Sequence, residues 1–132
     1  MQDLKQQLLE EGLSCIVKQK DSIYKEHAHG ILPLLHFIEQ DRLKDSILVD
    51  KVIGKAAAML MVYGGVKKIH ALIISEHALQ ILQAHNISIS YDTLVPYIIN
   101  RKKDGMCPME QAVLSIQDID QAYQLLVDKV MH

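Results

Sequence analysis

The chain has 132 residues, enough for one domain with a core of its own and too few for two ordinary ones. Apolar residues at 49% and charged residues at 23% argue against a mostly disordered chain. The 14 basic and 16 acidic side chains argue against a nucleic-acid binder that relies on bulk positive charge.

Met1 to Gln7 lacks the basic stretch and apolar run of a secretory leader. The longest apolar run, residues 56–63, is far short of the ~20 residues that span a bilayer. Two cysteines, Cys15 and Cys107, are too few for a disulfide scaffold and fit free thiols. A cytoplasmic location with no membrane partner is expected.

In chain order, residues 3–11 read as a short amphipathic helix with Leu4, Leu8 and Leu9 on one side, stopped by Gly12. Residues 13–18 and 22–25 flank the polar turn Gln19-Lys20-Asp21 and read as a β-hairpin. Residues 30–40 are apolar and helical, with Pro33 in the first turn. Residues 46–49 form a short branched strand. Residues 50–63 form a helix rich in small side chains, closed by Gly64-Gly65. A buried strand over 69–74, a helix over 75–85 and a half-buried strand over 87–91 follow.

After the polar loop at 100–105, Pro108 suits the first position of a helix, with Glu110 in its opening turn. Ser115 and Asp118 mark the start of a final helix. Its stripe of Ile116, Ile119, Tyr123, Leu126 and Val130 packs on the sheet or on a second copy of the chain. Strand-helix-strand order argues for parallel pairing with right-handed crossovers. The expected fold is an α/β class, three-layer α/β/α sandwich: a mixed sheet with an N-terminal hairpin and parallel strands, in a single domain.

Ligands in open α/β sheets collect beyond the carboxyl ends of parallel strands. One such end leads into Asp50, Gly54 and Lys55, the next into Ser75 and Glu76, and the third strand into Asn100 and Arg101. Asp50 and Ser75 read as N-caps. Gly54 inside a helical stretch costs ~1 kcal/mol relative to Ala and so points to a close backbone approach. Lys55 opposes the helix dipole, a tension that a bound anion resolves. If these groups converge, they suit a ribose-phosphate better than a purely apolar ligand. Cys107 at a helix start reads either as a cap or as a reactive thiol. His27 and His29 lack a third ligand, and Arg101-Lys102-Lys103, followed by Asp104, reads as a solvated loop.

The runs Asp50 to Ala58, Ile73-Ile74-Ser75-Glu76, Leu94 to Arg101 and Gly105 to Glu110 carry a resemblance. From about Leu4 to Val130 the chain resembles a prokaryotic family filed as a domain of unknown function within the cytidine deaminase-like superfamily. The resemblance implies the deaminase-like α/β/α fold. Zinc deaminases place a His or Cys ligand and a Glu at one helix start and Pro-Cys-x-x-Cys at the next. Here residues 52–58 supply no His, Cys or Glu. Ser75-Glu76-His77-Ala78 has His77 where the Pro would be and Ala78 where the first Cys would be. A single imidazole cannot hold catalytic zinc.

The expectation is therefore a deaminase-like domain without zinc chemistry, metal or cofactor. It binds a nucleotide-type ligand in a regulatory or sensing role. Two alternatives stand beside it. One is a metal-free enzyme using Cys107 as nucleophile or Glu76 as acid/base with Lys55 as electrostatic partner. The other is a homodimeric interaction module with the final helix as its seam.

Overall fold

Hydrophobic alternation and turn chemistry build a five-stranded mixed sheet with helices on both faces, in a computed structural model that describes residues 1–131. The elements are α1 (Gln2–Glu10), β1 (Cys15–Gln19), β2 (Ser22–Glu26), α2 (Leu32–Glu39), β3 (Ile47–Ile53) and α3 (Lys55–Gly64). They continue with β4 (Lys68–Ser75), α4 (Glu76–Ala84), β5 (Ser88–Val95), α5 (Pro108–Ala112) and α6 (Ile119–Met131). No helix among the described residues is long and apolar enough to cross a membrane.

The strand order is β2-β1-β3-β4-β5. β1 pairs antiparallel with both β2 and β3, whereas β3, β4 and β5 run parallel. Lys20, at a positive φ of 54°, closes the β1–β2 hairpin. The steps from β3 to β4 and from β4 to β5 move in one direction across the sheet. Right-handed crossovers therefore put α3 and α4 on the same face.

That face holds the main core. Leu48, Ile69, Ala71 and Ile74 of the sheet meet Met59 and Leu60 of α3 and Ile81 and Leu82 of α4. The opposite face is covered by α1, whose Leu4 and Leu8 pack with Leu13, Ile16 and Val49. Lys5 of α1 also pairs with Asp92 of β5 at 2.9 Å. The stripe of α6 packs inside the chain: Ala122 and Leu126 are fully buried, and the Tyr123 ring stacks on Tyr63 of α3 at 3.9 Å. Gly65 ends α3 in the left-handed conformation at φ 87°, which a side chain would disfavour.

The third and fifth strands run past their expected ends. β3 continues to Ile53 because its ladders to β1 and β4 persist through Asp50, which pairs with Cys15 on one side and Ala71 on the other. Pairing on both edges outweighs the poor β propensity of Asp and Lys. Asp50 is thus a strand residue rather than an N-cap, and Gly54 takes the N-cap position of α3.

Candidate functional site

Chain direction brings six segments to one edge of the sheet. The carboxyl ends of β3, β4 and β5 lie there, and so does the start of β1, since Cys15 pairs with both Glu26 and Asp50. The loop after β2 and the segment from β5 into α5 close over this edge. Between them lies a cleft of about 1040 Å³. Its apolar walls come from Ile31, Pro33, Leu34, Ala56, Ile98 and Met109, and its polar lining includes Asp50, Lys51, Asn100, Arg101, Lys102 and Cys107.

The buried end of the site is organised by Glu110, which is 1% exposed. Its Oε2 accepts from the Lys55 amide at 2.6 Å and from the Ser75 hydroxyl at 2.5 Å, and its Oε1 accepts from the Ile98 amide at 2.7 Å. Ser75 Oγ in turn accepts from the Ala78 amide at 3.1 Å, as the N-cap of α4. One carboxylate thus joins the starts of α3 and α4 and fixes the segment after β5. A helix N-terminus attracts anions through unpaired N–H groups and the dipole. Here a side chain of the protein itself meets that demand at α3. It also accounts for Gly54: a Cβ there would lie 3.2 Å from Glu110 Oε2 and 3.1 Å from Ile98 Cγ1.

The sequence-selected residues separate into two groups. Asp50, Gly54, Asn100, Arg101 and Cys107 line the cleft. Lys55, Ser75 and Glu76 do not, so of the seven candidate ligand-binding residues Asp50, Gly54, Asn100 and Arg101 share the cleft, with Cys107 beside them. Lys55 is 3% exposed and its ammonium donates to the Leu114 carbonyl at 2.8 Å. Burial pulls its pKa below the usual lysine range, partly offset by the charge of Glu110. Ser75 is fully buried beneath Glu110, and Glu76 is exposed on the first turn of α4.

Within the cleft, Asp50 has the most altered chemistry. Burial raises its carboxyl from the ordinary aspartate range to about 7, against the opposing pull of the Val52 and Lys51 backbone bonds. Neighbouring Cys15 is pushed well above the usual thiol range by its own burial first, then by the charges of Asp50 and Glu26. Cys15 is buried and Cys107 is half-buried, both as free thiols.

The rim is a small closed loop. The Asn100 amide donates to the Gly105 carbonyl at 2.9 Å and the Cys107 amide to the Ile98 carbonyl at 2.7 Å. The Asn100 side chain bridges to Asp104 in both directions. Asn100 therefore holds the loop, while Arg101, Lys102 and Lys103 project as exposed cations.

Glu110 is the residue that sequence reasoning missed. Its only local signal was a carboxylate in the first turn after Pro108, which reads as ordinary helix-start chemistry. Nothing nearby in sequence says that it caps a helix 55 positions upstream. On the α1 face, His70 bridges Ser90 at 2.7 Å and Asp92 at 3.2 Å. This has the residue types of a hydrolytic triad, but Asp92 is shared with Lys5 and the chain of contacts ties α1 to the sheet.

Comparison with known proteins gives a family and a solved relative. The family model described as TM1506, domain of unknown function (DUF1893), matches residues 3–130. A crystal structure of a DUF1893 family protein (TM1506) from Thermotoga maritima at 2.70 Å resolution is similar over 97% of this chain and 88% of that one. The TM-score is 0.90, at 28% identity. No curated protein matches. These matches concern the family and its α/β fold, while the wider deaminase-like superfamily rests on the sequence resemblance.

Proposed function

Because this chain belongs to the TM1506 family of domains of unknown function (DUF1893), we propose its role from its own cleft: binding a nucleotide-type ligand, in a regulatory or sensing capacity, on a deaminase-like fold without zinc chemistry. The observation that carries the reading is the pairing of apolar walls with a cationic rim. A base fits against Ile31, Leu34 and Ile98, and a phosphate fits the reach of Lys51, Arg101 and Lys102. Asp50, titrating near neutrality, supplies a donor as well as an acceptor to the edge of a base.

Zinc does not fit the donor set at the two helix starts. The groups between them are the Lys55 amide, the Ser75 hydroxyl and Glu110, whose oxygens are already engaged by three donors, and at the α4 start Glu76 is exposed and His77 is a single imidazole. No group of three or more His, Cys, Asp or Glu suited to a metal ion exists among the described residues.

The test is a thermal-shift panel of nucleotides, dinucleotides and sugar phosphates, with follow-up calorimetry. A ligand at a hundred times its dissociation constant stabilises a fold by ~2.7 kcal/mol, visible as several degrees in a domain of this size. At least one member of the panel is expected to do so, with the effect reduced by Arg101→Ala and by Asp50→Asn. A panel without any stabiliser at millimolar concentration ends the proposal. Because Cys107 lies in the same wall, an enzyme reading is tested alongside. Selective alkylation of Cys107 that abolishes a turnover of the bound ligand would favour it over sensing.

A further inference from the structure

A second, smaller pocket of about 270 Å³ lies along α4 and the segment after α5, apart from the cleft. Its polar lining is Lys55, His77, Gln80 and Gln117, and no carboxylate lines it. Every one of these side chains offers an N–H donor, the ammonium three of them.

Lys55 gives this lining its direction. The residue is 3% exposed, yet its ammonium has one protein acceptor, the neutral Leu114 carbonyl at 2.8 Å. No ion pair among the described residues includes it. The carboxylate that interacts with it electrostatically, Glu110, directs its hydrogen-bonding oxygens to the Lys55 amide, Ser75 and Ile98. A buried cation with one neutral acceptor is costly unless a counter-charge reaches it. The position also opposes the dipole of α3, in whose first turn Lys55 stands.

We propose that this pocket is a binding site for a small oxyanion, with phosphate as the group it takes. Lys55 supplies the charge and His77, Gln80 and Gln117 the surrounding donors. The volume, just below the ~300 Å³ at which ordinary small-molecule pockets begin, admits a tetrahedral anion or the phosphoryl end of an ester. The inference is independent of the nucleotide reading of the cleft, because the two pockets share no lining residue.

The experiment follows the melting temperature while inorganic phosphate is titrated at constant ionic strength, with chloride as the balancing anion. A parallel arm uses a small phosphate monoester. A saturable rise of several degrees at millimolar phosphate is expected. A response to both probes identifies a phosphoryl site, and a response to inorganic phosphate alone identifies a free-ion site. Lys55→Met keeps the length and loses the charge, and it should abolish the rise. Lys67→Ala, an exposed lysine that lines neither pocket, should leave it unchanged. Should Lys55→Met fail to fold, Gln117→Leu tests the same pocket from its exposed side and should raise the half-saturating phosphate concentration several-fold. No saturable rise in the wild-type protein, an equal rise in Lys55→Met, an unaltered half-saturation in Gln117→Leu, or loss of the rise in Lys67→Ala would each overturn the assignment.

Discussion

The Ser75 hydroxyl donates to the Glu110 carboxylate across 2.5 Å, linking the N-cap of α4 to a helix that begins 33 residues further along, at Pro108. The same carboxylate holds the Lys55 and Ile98 amides. Removing it leaves three donors without an acceptor in a buried place. Each such loss costs ~1–3 kcal/mol, and neighbouring losses do not add fully. Glu110→Ala should therefore destabilise the fold by about 3–5 kcal/mol. Glu110→Gln keeps the shape but turns one acceptor oxygen into an NH2 donor, set against the Ile98 amide or against the Lys55 amide and Ser75, and should cost about 1–3 kcal/mol. Urea unfolding of both variants checks this. A loss below ~1 kcal/mol in Glu110→Ala would show that the network does not support the helix starts.

Asp50 should make stability depend on pH. Its folded carboxyl titrates near 7, above the ~3.9 of an unfolded aspartate. Between those values the folded state holds a proton that the unfolded state has lost, so stability falls as pH rises from about 4 to about 7 and levels off above. The contribution amounts to a few kcal/mol at most. Asp50→Asn should flatten this part of the profile and be more stable than the wild-type protein at pH ~8, relative to their difference at pH ~5. Melting temperatures at the two pH values are the measurement. A wild-type-to-variant difference that does not change with pH would falsify the assignment.

The two thiols should differ sharply in reactivity. Cys15 is 4% exposed, with a thiol pKa raised by burial and by two nearby carboxylates. Thiolate is the reactive form, so Cys15 should label only on unfolding. Cys107, half-buried in the cleft wall, should label in the native protein. A ligand that fills the cleft should slow that labelling. Peptide mass spectrometry after timed alkylation separates the two sites, and comparable native rates would contradict the placement of Cys15.

Gly64→Ala should destabilise despite the better helix propensity of alanine. A Cβ at Gly64 would lie 2.7 Å from Leu43 Cδ1 and 2.8 Å from Leu43 Cβ, and Leu43 is 1% exposed. The overlap should cost about 1–3 kcal/mol, against a propensity gain of at most ~1 kcal/mol. At Gly54 the nearest atoms are 3.1–3.2 Å away, so Gly54→Ala should cost less unless Glu110 is displaced. Denaturant midpoints of the two variants give the order directly. Equal stability of Gly64→Ala and the wild-type protein would mean that Leu43 moves freely.

Element order, the hairpin, the parallel additions and the final amphipathic helix follow from local properties. Apolar spacing, Pro33 and Pro108 at helix starts and Gly65 at a helix end act within a few residues of themselves. The edge on which a cleft forms also follows, since parallel strands send their carboxyl ends the same way. Only the tertiary structure decides what each polar side chain meets there. Asp50 looks like an N-cap until pairing with Cys15 and Ala71 draws it into the sheet and buries its carboxyl. Lys55 looks like part of the cleft until its ammonium is found beside Leu114 at the second pocket, and Glu110 looks incidental until it caps α3. Hydrogen-bond partners and desolvation are set by residues tens of positions apart, and no local pattern encodes the distance at which those residues come to rest.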